Sequence, residues 1–209
     1  MMLPQIMPML AVTEEPFDSP EYCFEIKYDG VRALAAVDGS GWRLWGRERA
    51  DYKARYPELE VLRRLPVGTL VDGELVAVGE AGRPELRRLL RRHGLTDPWR
   101  IRQARRWCPV QYVLFDLLYH EGRCLMQEPL ARRREVLAEM CRMLNEPEIL
   151  FSPAAIGAGT ALYRKVVAAG HEGVVAKLLI SAYLPGKRSN TWKKIKPRAG
   201  KDRYTSEQR

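Results

Sequence analysis

The stretch FEIKYDG, residues 24–30, alternates apolar and charged side chains, as a β-strand with one buried face does. Because successive side chains of an extended backbone point to opposite faces, positions 24, 26 and 28 are predicted to face a core, and Glu25, Lys27 and Asp29 the opposite side. A lysine between two carboxylates belongs either to a solvated edge or to the wall of a cleft. This strand alone leaves both interpretations open.

Segments that alternate in polarity, or are rich in β-branched and aromatic residues, continue the pattern along the chain. Strands are predicted at 24–28, 32–37, 42–45, 70–78, 110–114, 173–178 and 192–196, and helices at 57–65, 84–93, 129–144 and 160–169. Gly39 and Gly41 indicate a hairpin between the second and third strands. The sequence therefore predicts a mixed α+β fold with mostly antiparallel strands.

The composition is that of an ordinary globular domain. The chain has 209 residues, of which 46% are hydrophobic and 29% charged, enough for one domain with its own core. No apolar run reaches the roughly 18 residues that a membrane-spanning helix needs, and the first residues lack the basic start of a secretory signal, so a cytoplasmic protein is expected. Four cysteines without a CxxC pair fit neither a zinc site nor a disulfide framework.

The positive charge is concentrated in two segments. The chain carries 35 Lys and Arg against 26 Asp and Glu, a net charge of +9. Residues 83–107 contain nine arginines and two acids, and residues 187–203 contain eight basic residues and one acid. Such segments indicate either solvated faces or a surface for a polyanion, most commonly nucleic acid. Four arginines of the predicted helix at 84–93 form a stripe that either tracks DNA phosphates or is simply solvated: Arg87, Arg88, Arg91 and Arg92.

Near the end of the chain, WKKIK (192–196) places two more cations on one face of an extended segment. Trp192, Lys194 and Lys196 share that face, where the lysines either meet solvent or hold an anion. If they converge on Lys27, their positive charges would depress its pKa and free an amine to act as a nucleophile.

Two acids are candidates for holding a divalent cation. Glu74 in VDGELV and Glu172 in HEGVVAK each lie beside a glycine at a predicted strand end. Carboxylate oxygens at such positions suit a hard cation such as Mg²⁺ or Mn²⁺.

Six motifs in this order resemble those of one enzyme family. They are EIKYDGVR (25–32), GRER (46–49), DGELV (72–76), VLFDLLY (113–119), HEGVVAK (171–177) and WKKIK (192–196). Together they are similar to the nucleotidyltransferase motifs of the ATP-dependent DNA ligases, most closely those of the ligase domain of bacterial end-joining DNA ligases. The resemblance implies the α+β ligase/capping-type nucleotidyltransferase fold, which is ATP-grasp-like and has antiparallel sheets flanked by helices.

The resemblance also implies a role for each matching residue. Lys27 matches the nucleophile that attacks the α-phosphorus of ATP and becomes bonded to AMP. The other matches are Glu25 and Ile26 beside the adenine, Phe115 stacked on it, Arg32 and Arg47 on sugar and phosphates, Glu74 on the ribose and metal, Glu172 on the metal, Lys177 in the nucleotide pocket, and Lys194 with Lys196 on the α-phosphate. Lys27, Arg32, Lys194 and Lys196 are thereby the expected catalytic residues.

Some features depart from the family pattern. The chain stops 13 residues after Lys196, so we expect an adenylation domain at 1–198, a polar tail at 199–209 and no OB-fold domain. Gly46 stands where the family usually has serine, and the phenylalanine usual after DGELV is replaced by an arginine-rich segment.

The implied function is DNA strand sealing in repair, recombination and replication. Expected partners are ATP, Mg²⁺ or Mn²⁺, nicked or broken double-stranded DNA, and a separate OB-fold protein or another end-joining factor. A monomer acting at the nucleoid is expected. An RNA ligase, a capping-type guanylyltransferase and a non-catalytic nucleic-acid-binding module remain alternatives.

Overall fold

The computed structural model describes residues 2–79 and 82–197, which form two mainly antiparallel sheets with helices on their outer faces. The strands are β1 (Leu10–Thr13), β2 (Ser19–Ile26), β3 (Val31–Asp38), β4 (Gly41–Trp45), β5 (Thr69–Ala77), β6 (Val110–His120), β7 (Arg123–Cys124), β8 (Ile149–Phe151), β9 (Ala154–Gly157), β10 (Val174–Leu178) and β11 (Arg188–Ile195). One sheet has the order β1-β11-β10-β2-β9. The other has the order β4-β3-β5-β6-β7, with β8 also paired to β6. Two pairings are parallel, β1 with β11 and β6 with β8.

Four α-helices and two 3₁₀ helices complete the described chain. They are α1 (Leu86–His93), α2 (Pro98–Trp107), α3 (Leu130–Leu144) and α4 (Gly159–Ala168), with 3₁₀ helices at Lys53–Arg55 and Pro57–Arg64. The Asp97 side chain accepts a hydrogen bond from the Arg100 amide at the start of α2, where Pro98 occupies the first helical position. Both features favour a helix start.

Three apolar clusters hold these layers together. The first packs one face of the β4-β3-β5-β6 sheet against α1, α3 and the Pro57–Arg64 helix. The second lies between the two sheets and includes Phe115, Tyr183 and Trp192. The third packs α4 on the outer face of the other sheet through Phe24, Val174 and Val166. The inner faces of both sheets therefore line one space, and the candidate site opens there.

The seven strands predicted from the sequence are all present, and the predicted α+β class is confirmed. The glycine-marked hairpin joins β3 to β4 through Gly39 and Ser40. The structure adds four short strands, β1, β7, β8 and β9, and the helix α2, which periodicity did not indicate. The predicted helix at 57–65 takes the tighter 3₁₀ form. The predicted tail at 199–209 lies outside the described residues.

The arginine stripe of α1 is not a single surface. Arg92 is completely buried, where it bonds Glu58 at 2.5 Å and also contacts the carbonyl of Cys108. Arg88 donates to the carbonyl of Trp107, so both arginines hold the C-terminal end of α2. Only Arg87 and Arg91 face solvent, because two of the four side chains on this short helix point toward its packing partner. Within the described ranges, no helix is long and apolar enough to span a bilayer.

Candidate active site

A cleft of about 410 Å³ opens between the two sheets, within the size range of small-molecule sites. It gathers residues from segments far apart in the sequence. Its walls include all the predicted site residues except Lys196, namely Glu25, Ile26, Lys27, Arg32, Arg47, Glu74, Phe115, Glu172, Lys177 and Lys194. Lys196 lies at its edge, where it contacts Glu172.

Lys27 lies directly after the end of β2, in the turn that leads to β3. Its amide donates to the carbonyl of Gly173 at 2.9 Å, and its Nζ contacts the carboxylate of Glu172. Lys196 contacts the other oxygen of the same carboxylate. Lys27 and Lys196 therefore meet through a shared acid, whereas the sequence suggested direct convergence of cations on Lys27.

Two glycines allow this turn to approach its neighbours. A Cβ at Gly30 would lie 2.2 Å from the carbonyl oxygen of Leu75, and one at Gly173 would lie 2.0 Å from that of Ile195. Gly173 also has φ +139°, a conformation that other residues rarely adopt. These close approaches bring the Lys27 turn against β5 and the Glu172 loop against β11.

Arg32 is held by a buried network. Its Nε and one terminal nitrogen each donate to Asp72 at 2.6 Å, and the Tyr183 hydroxyl donates to the same carboxylate at 2.6 Å. The Arg32 guanidinium also lies 4.5 Å from the centre of the Phe115 ring. Burial acts to lower the pKa of Arg32, but the Asp72 charge outweighs burial and raises this pKa above its ordinary value. Arg32 is therefore a fixed cation in the wall of the cleft.

The Glu25 carboxylate sits among three donors at the opposite wall. It accepts from Arg134 at 2.5 Å and from Ser152 and Lys177, each at 3.0 Å. Burial lowers the pKa of Lys177, and the Glu25 charge acts against this shift. Tyr28 was predicted to face the core opposite Glu25. It instead lines the cleft with Glu25, because β2 ends at Ile26 and the alternation stops there.

The Phe115 ring, expected to stack on adenine, is covered by two cations in this structure. Lys177 Nζ lies 4.1 Å from the ring centre, closer than the Arg32 guanidinium. Trp192 packs edge-on against the same ring at 6.2 Å. A base that stacks on Phe115 would have to displace one of these cations, so this role stays a prediction.

Three carboxylates face the cleft near Lys27: Asp29, Glu74 and Glu172. Burial raises the pKa of Glu74 to about 7, against the nearby positive charges of Arg32 and Lys27. Burial and the Glu172 charge raise the pKa of Asp29. Partial burial acts to raise the pKa of Glu172, yet the bonds from Lys196 and Lys27 bring it below its ordinary value.

These carboxylates suit a divalent cation that arrives with phosphates. Among the described residues, no cluster of three or more His, Cys, Asp or Glu side chains could hold a metal alone. Mg²⁺ commonly uses one or two carboxylates together with substrate phosphates, so Glu74 and Glu172 fit that chemistry. Glu74 lies in the middle of β5 rather than at a strand end, because the strand continues to Ala77.

Two further predicted cations remain available to a ligand. Arg47 is exposed in the turn after β4, and Lys194 points into the cleft from β11. Neither side chain has an ion-pair partner within residues 2–79 and 82–197. The family's usual serine before the arginine is Gly46 here. A Cβ at this position would lie 2.0 Å from the hydroxyl of Tyr52, whose ring fills that space.

Sequence reasoning missed several groups that shape the cleft. Asp72 and Tyr183 hold Arg32, and Arg134 holds Glu25 across 109 residues. Arg188 also lines the cleft and contacts the Ala11 carbonyl. In the sequence, Asp72 was indicated only as a residue of the DGELV motif, and Tyr183 and Arg188 only by their position shortly before WKKIK. Pairings between residues this far apart leave no local pattern.

Two sheets enclosing a lysine-bearing cleft form the architecture of the nucleotidyltransferase domains of ligases. Residues 1–196 match the family model of the ATP dependent DNA ligase domain, and the chain belongs to this family. A DNA ligase of Methanothrix thermoacetophila is 36% identical over 184 residues, covering 83% of this chain and 32% of that protein. The chain thus spans about a third of the length of such relatives.

Solved structures agree with this assignment. The ligase domain of LigD from M. tuberculosis superimposes with a TM-score of 0.75 and 28% identity, covering 91% of this chain and 60% of that one. A mycobacterial DNA ligase D complexed with ATP and MES gives a TM-score of 0.72 and the same identity and coverage. The predicted ligase family and fold are confirmed, while the roles of individual site residues stay predictions.

Proposed function

We propose that this chain forms a covalent lysine-AMP bond at Lys27 and passes the AMP to a 5′-phosphate at a break in DNA. The observation that carries this proposal is the cleft whose walls hold Lys27 together with the cations Arg32, Arg47 and Lys194 and with the carboxylates of Asp29, Glu74 and Glu172. Membership of the ATP dependent DNA ligase family supports ATP as the nucleotide.

In the first step, Lys27 Nζ attacks the α-phosphorus of ATP. The nitrogen–phosphorus bond forms as the bond to the leaving oxygen breaks, and pyrophosphate departs. The ammonium group must first lose a proton, which water can accept. Lys194 and Arg32 supply positive charge for the phosphate oxygens, because such transfers depend mainly on positioning and charge neutralisation.

Glu74 and Glu172 would hold a Mg²⁺ or Mn²⁺ ion. When bound, the ion supplies additional charge stabilisation for the phosphates. Before it binds, Glu172 is engaged by Lys27 and Lys196, so occupation of the site would loosen the contact that holds the Lys27 amine.

In the later steps, an oxygen of a DNA 5′-phosphate attacks the lysine-bound AMP and the nitrogen–phosphorus bond breaks. A 3′-hydroxyl then attacks that 5′-phosphorus and AMP leaves, so the strand is sealed. We propose nicked or broken double-stranded DNA as the substrate, a separate OB-fold protein or end-joining factor as partner, and a monomer acting in the cytoplasm at the nucleoid.

The first step can be tested with α-labelled ATP or GTP and Mg²⁺. The unaltered chain and Lys165→Arg, a variant on the exposed surface of α4, are expected to acquire covalent label from ATP. Lys27→Arg is expected to acquire none, because a guanidinium keeps its proton at neutral pH. Label from GTP alone, label on Lys27→Arg, or no label on the unaltered chain would contradict the proposal.

The later steps need a chase. Labelled protein is mixed with a nicked duplex, with and without a separately supplied OB-fold protein. Transfer of label to the 5′-phosphate strand and appearance of a sealed product are expected. Label that stays on the protein in both mixtures would contradict DNA as the acceptor.

A further inference from the structure

The helices α1 and α2 form an exposed basic unit outside the cleft. Together they contain eight arginines and no acidic residue. Six of them make neither an ion pair nor a side-chain hydrogen bond with any residue in the described ranges: Arg87, Arg91, Arg100, Arg102, Arg105 and Arg106. So many unbalanced charges on two short helices repel one another, which a polyanion would relieve.

Several exposed arginines elsewhere on the surface are placed differently. Arg63, Arg123, Arg132 and Arg142 each pair with a nearby glutamate. Those faces mix both signs of charge, as surfaces usually do. The α1–α2 unit differs from them because its exposed arginines have no acidic partner in the described ranges.

Large apolar side chains lie exposed within the same unit. Trp99 is 61% exposed and Trp107 44%, and Leu90 is also exposed. Trp99 shares a helix face with Arg102 and Arg106 at spacings of three and seven residues. Basic side chains interleaved with an exposed indole suit nucleic acid, which offers phosphates and apolar sugar and base surfaces.

The unit is also tied to the rim of the cleft. Arg83, four residues before Arg87, donates to the carbonyl of Ala169 at 2.8 Å. Ala169 lies three residues before Glu172, which contacts Lys27. Four residues span at most about 14 Å, whereas ten base pairs of duplex extend about 34 Å. The stretch from Arg83 to Arg87 is therefore shorter than ten base pairs of duplex, and α1 begins close to the loop that carries Glu172.

We infer that the α1–α2 unit is a docking surface for the phosphate backbone of duplex DNA, beside the cleft that handles the broken end. This inference rests on the proposed function for the identity of the polyanion. Arg88 and Arg92 hold the two helices together, and the solvent-facing arginines contact phosphates.

The test measures binding of a nicked duplex by fluorescence anisotropy over a range of salt concentrations. The variant carries four Arg→Gln changes, at Arg87, Arg91, Arg102 and Arg106. The control carries the same number of Arg→Gln changes, at Arg63, Arg123, Arg132 and Arg142, so both lose equal charge. Melting temperatures confirm that both are folded.

The four-arginine variant is expected to lower the slope of log affinity against log salt by about 2 to 4, since each lost phosphate contact removes about 0.9. The control should lower it by less than about 1. Trp99→Ala should weaken binding without changing the slope, because it removes no charge. Equal slopes for variant and control would overturn the inference. So would a four-arginine variant that binds single-stranded DNA more weakly but duplex normally, or an unaltered chain that does not bind duplex.

The two proposals fail in different ways. A chain that labels Lys27 with AMP but whose variant and control bind duplex equally would overturn the docking surface alone. A chain that binds duplex through these arginines but acquires no label would contradict the proposed function alone.

Discussion

Replacing Arg92 by methionine should destabilise the protein far more than the same change at Arg91 next to it. Arg92 is completely buried and pairs with Glu58, which is 8% exposed and whose other oxygen accepts from the Val110 amide at 3.2 Å. Removing the arginine leaves a buried carboxylate without its counter-charge, which costs about 3–5 kcal/mol. For a chain of this size that corresponds to a melting temperature lower by about 6–20 °C. Arg91→Met, on the exposed side, should change stability by less than about 0.5 kcal/mol.

The assay is thermal and urea denaturation followed by circular dichroism. Adding Glu58→Gln to Arg92→Met should recover part of the loss, because the amide keeps an acceptor for Val110 and carries no charge. For a chain of this size, 1 kcal/mol of stability corresponds to about 2–4 °C in melting temperature. A melting temperature for Arg92→Met within about 2 °C of that for Arg91→Met would therefore refute the assignment of Arg92 to the interior. A double variant no more stable than the single would refute the role given to the Glu58 charge.

Three further predictions concern the cleft. The pKa of Glu74, about 7 in the folded chain, exceeds its ordinary value of 4.5. The folded state therefore holds a proton that the unfolded chain has lost, and stability should fall by up to about 3 kcal/mol as pH rises from 4.5 to 7 without nucleotide or metal. Glu74→Gln should flatten that fall in urea denaturation at several pH values, and an unchanged profile would contradict the shift. Tyr183→Phe should lower the free energy of unfolding by about 1–3 kcal/mol, since the buried Asp72 loses a donor, and a loss near zero would contradict this. Gly173→Ala should lower the melting temperature well below that of Gly39→Ala, because an added methyl group meets backbone at the first position and open space at the second; equal melting temperatures would count against the close approach.

Alternation along β2 predicted the core face and the charged face of the strand, and it was right only as far as Ile26. Beyond that point the path of the chain depends on two glycine approaches, to β5 and to β11, which no local pattern records. Tyr28 therefore turned into the cleft, and Glu74 proved to lie within a strand. Local periodicity describes single elements well and turns between sheets poorly.

The helix α2 is an element that local periodicity did not indicate. Only Ile101 and Ala104 are buried in it, so an apolar stripe is absent and periodicity could not indicate a helix. The Asp97-Pro98 start was the one local signal. Some ion pairs that shape the cleft, such as Arg134 with Glu25, join residues more than 100 positions apart and depend on the tertiary fold.

The parallel pairing of β1 with β11 has a consequence for how the domain is made. Arg188 and Ala11, in contact here, are separated by 177 residues, and both line the cleft. A nascent chain still tethered to the ribosome before β11 emerges would leave β1 without its neighbour and this wall of the cleft incomplete. Closing so long a loop is slow, so the cleft should be completed late, after translation of this strand.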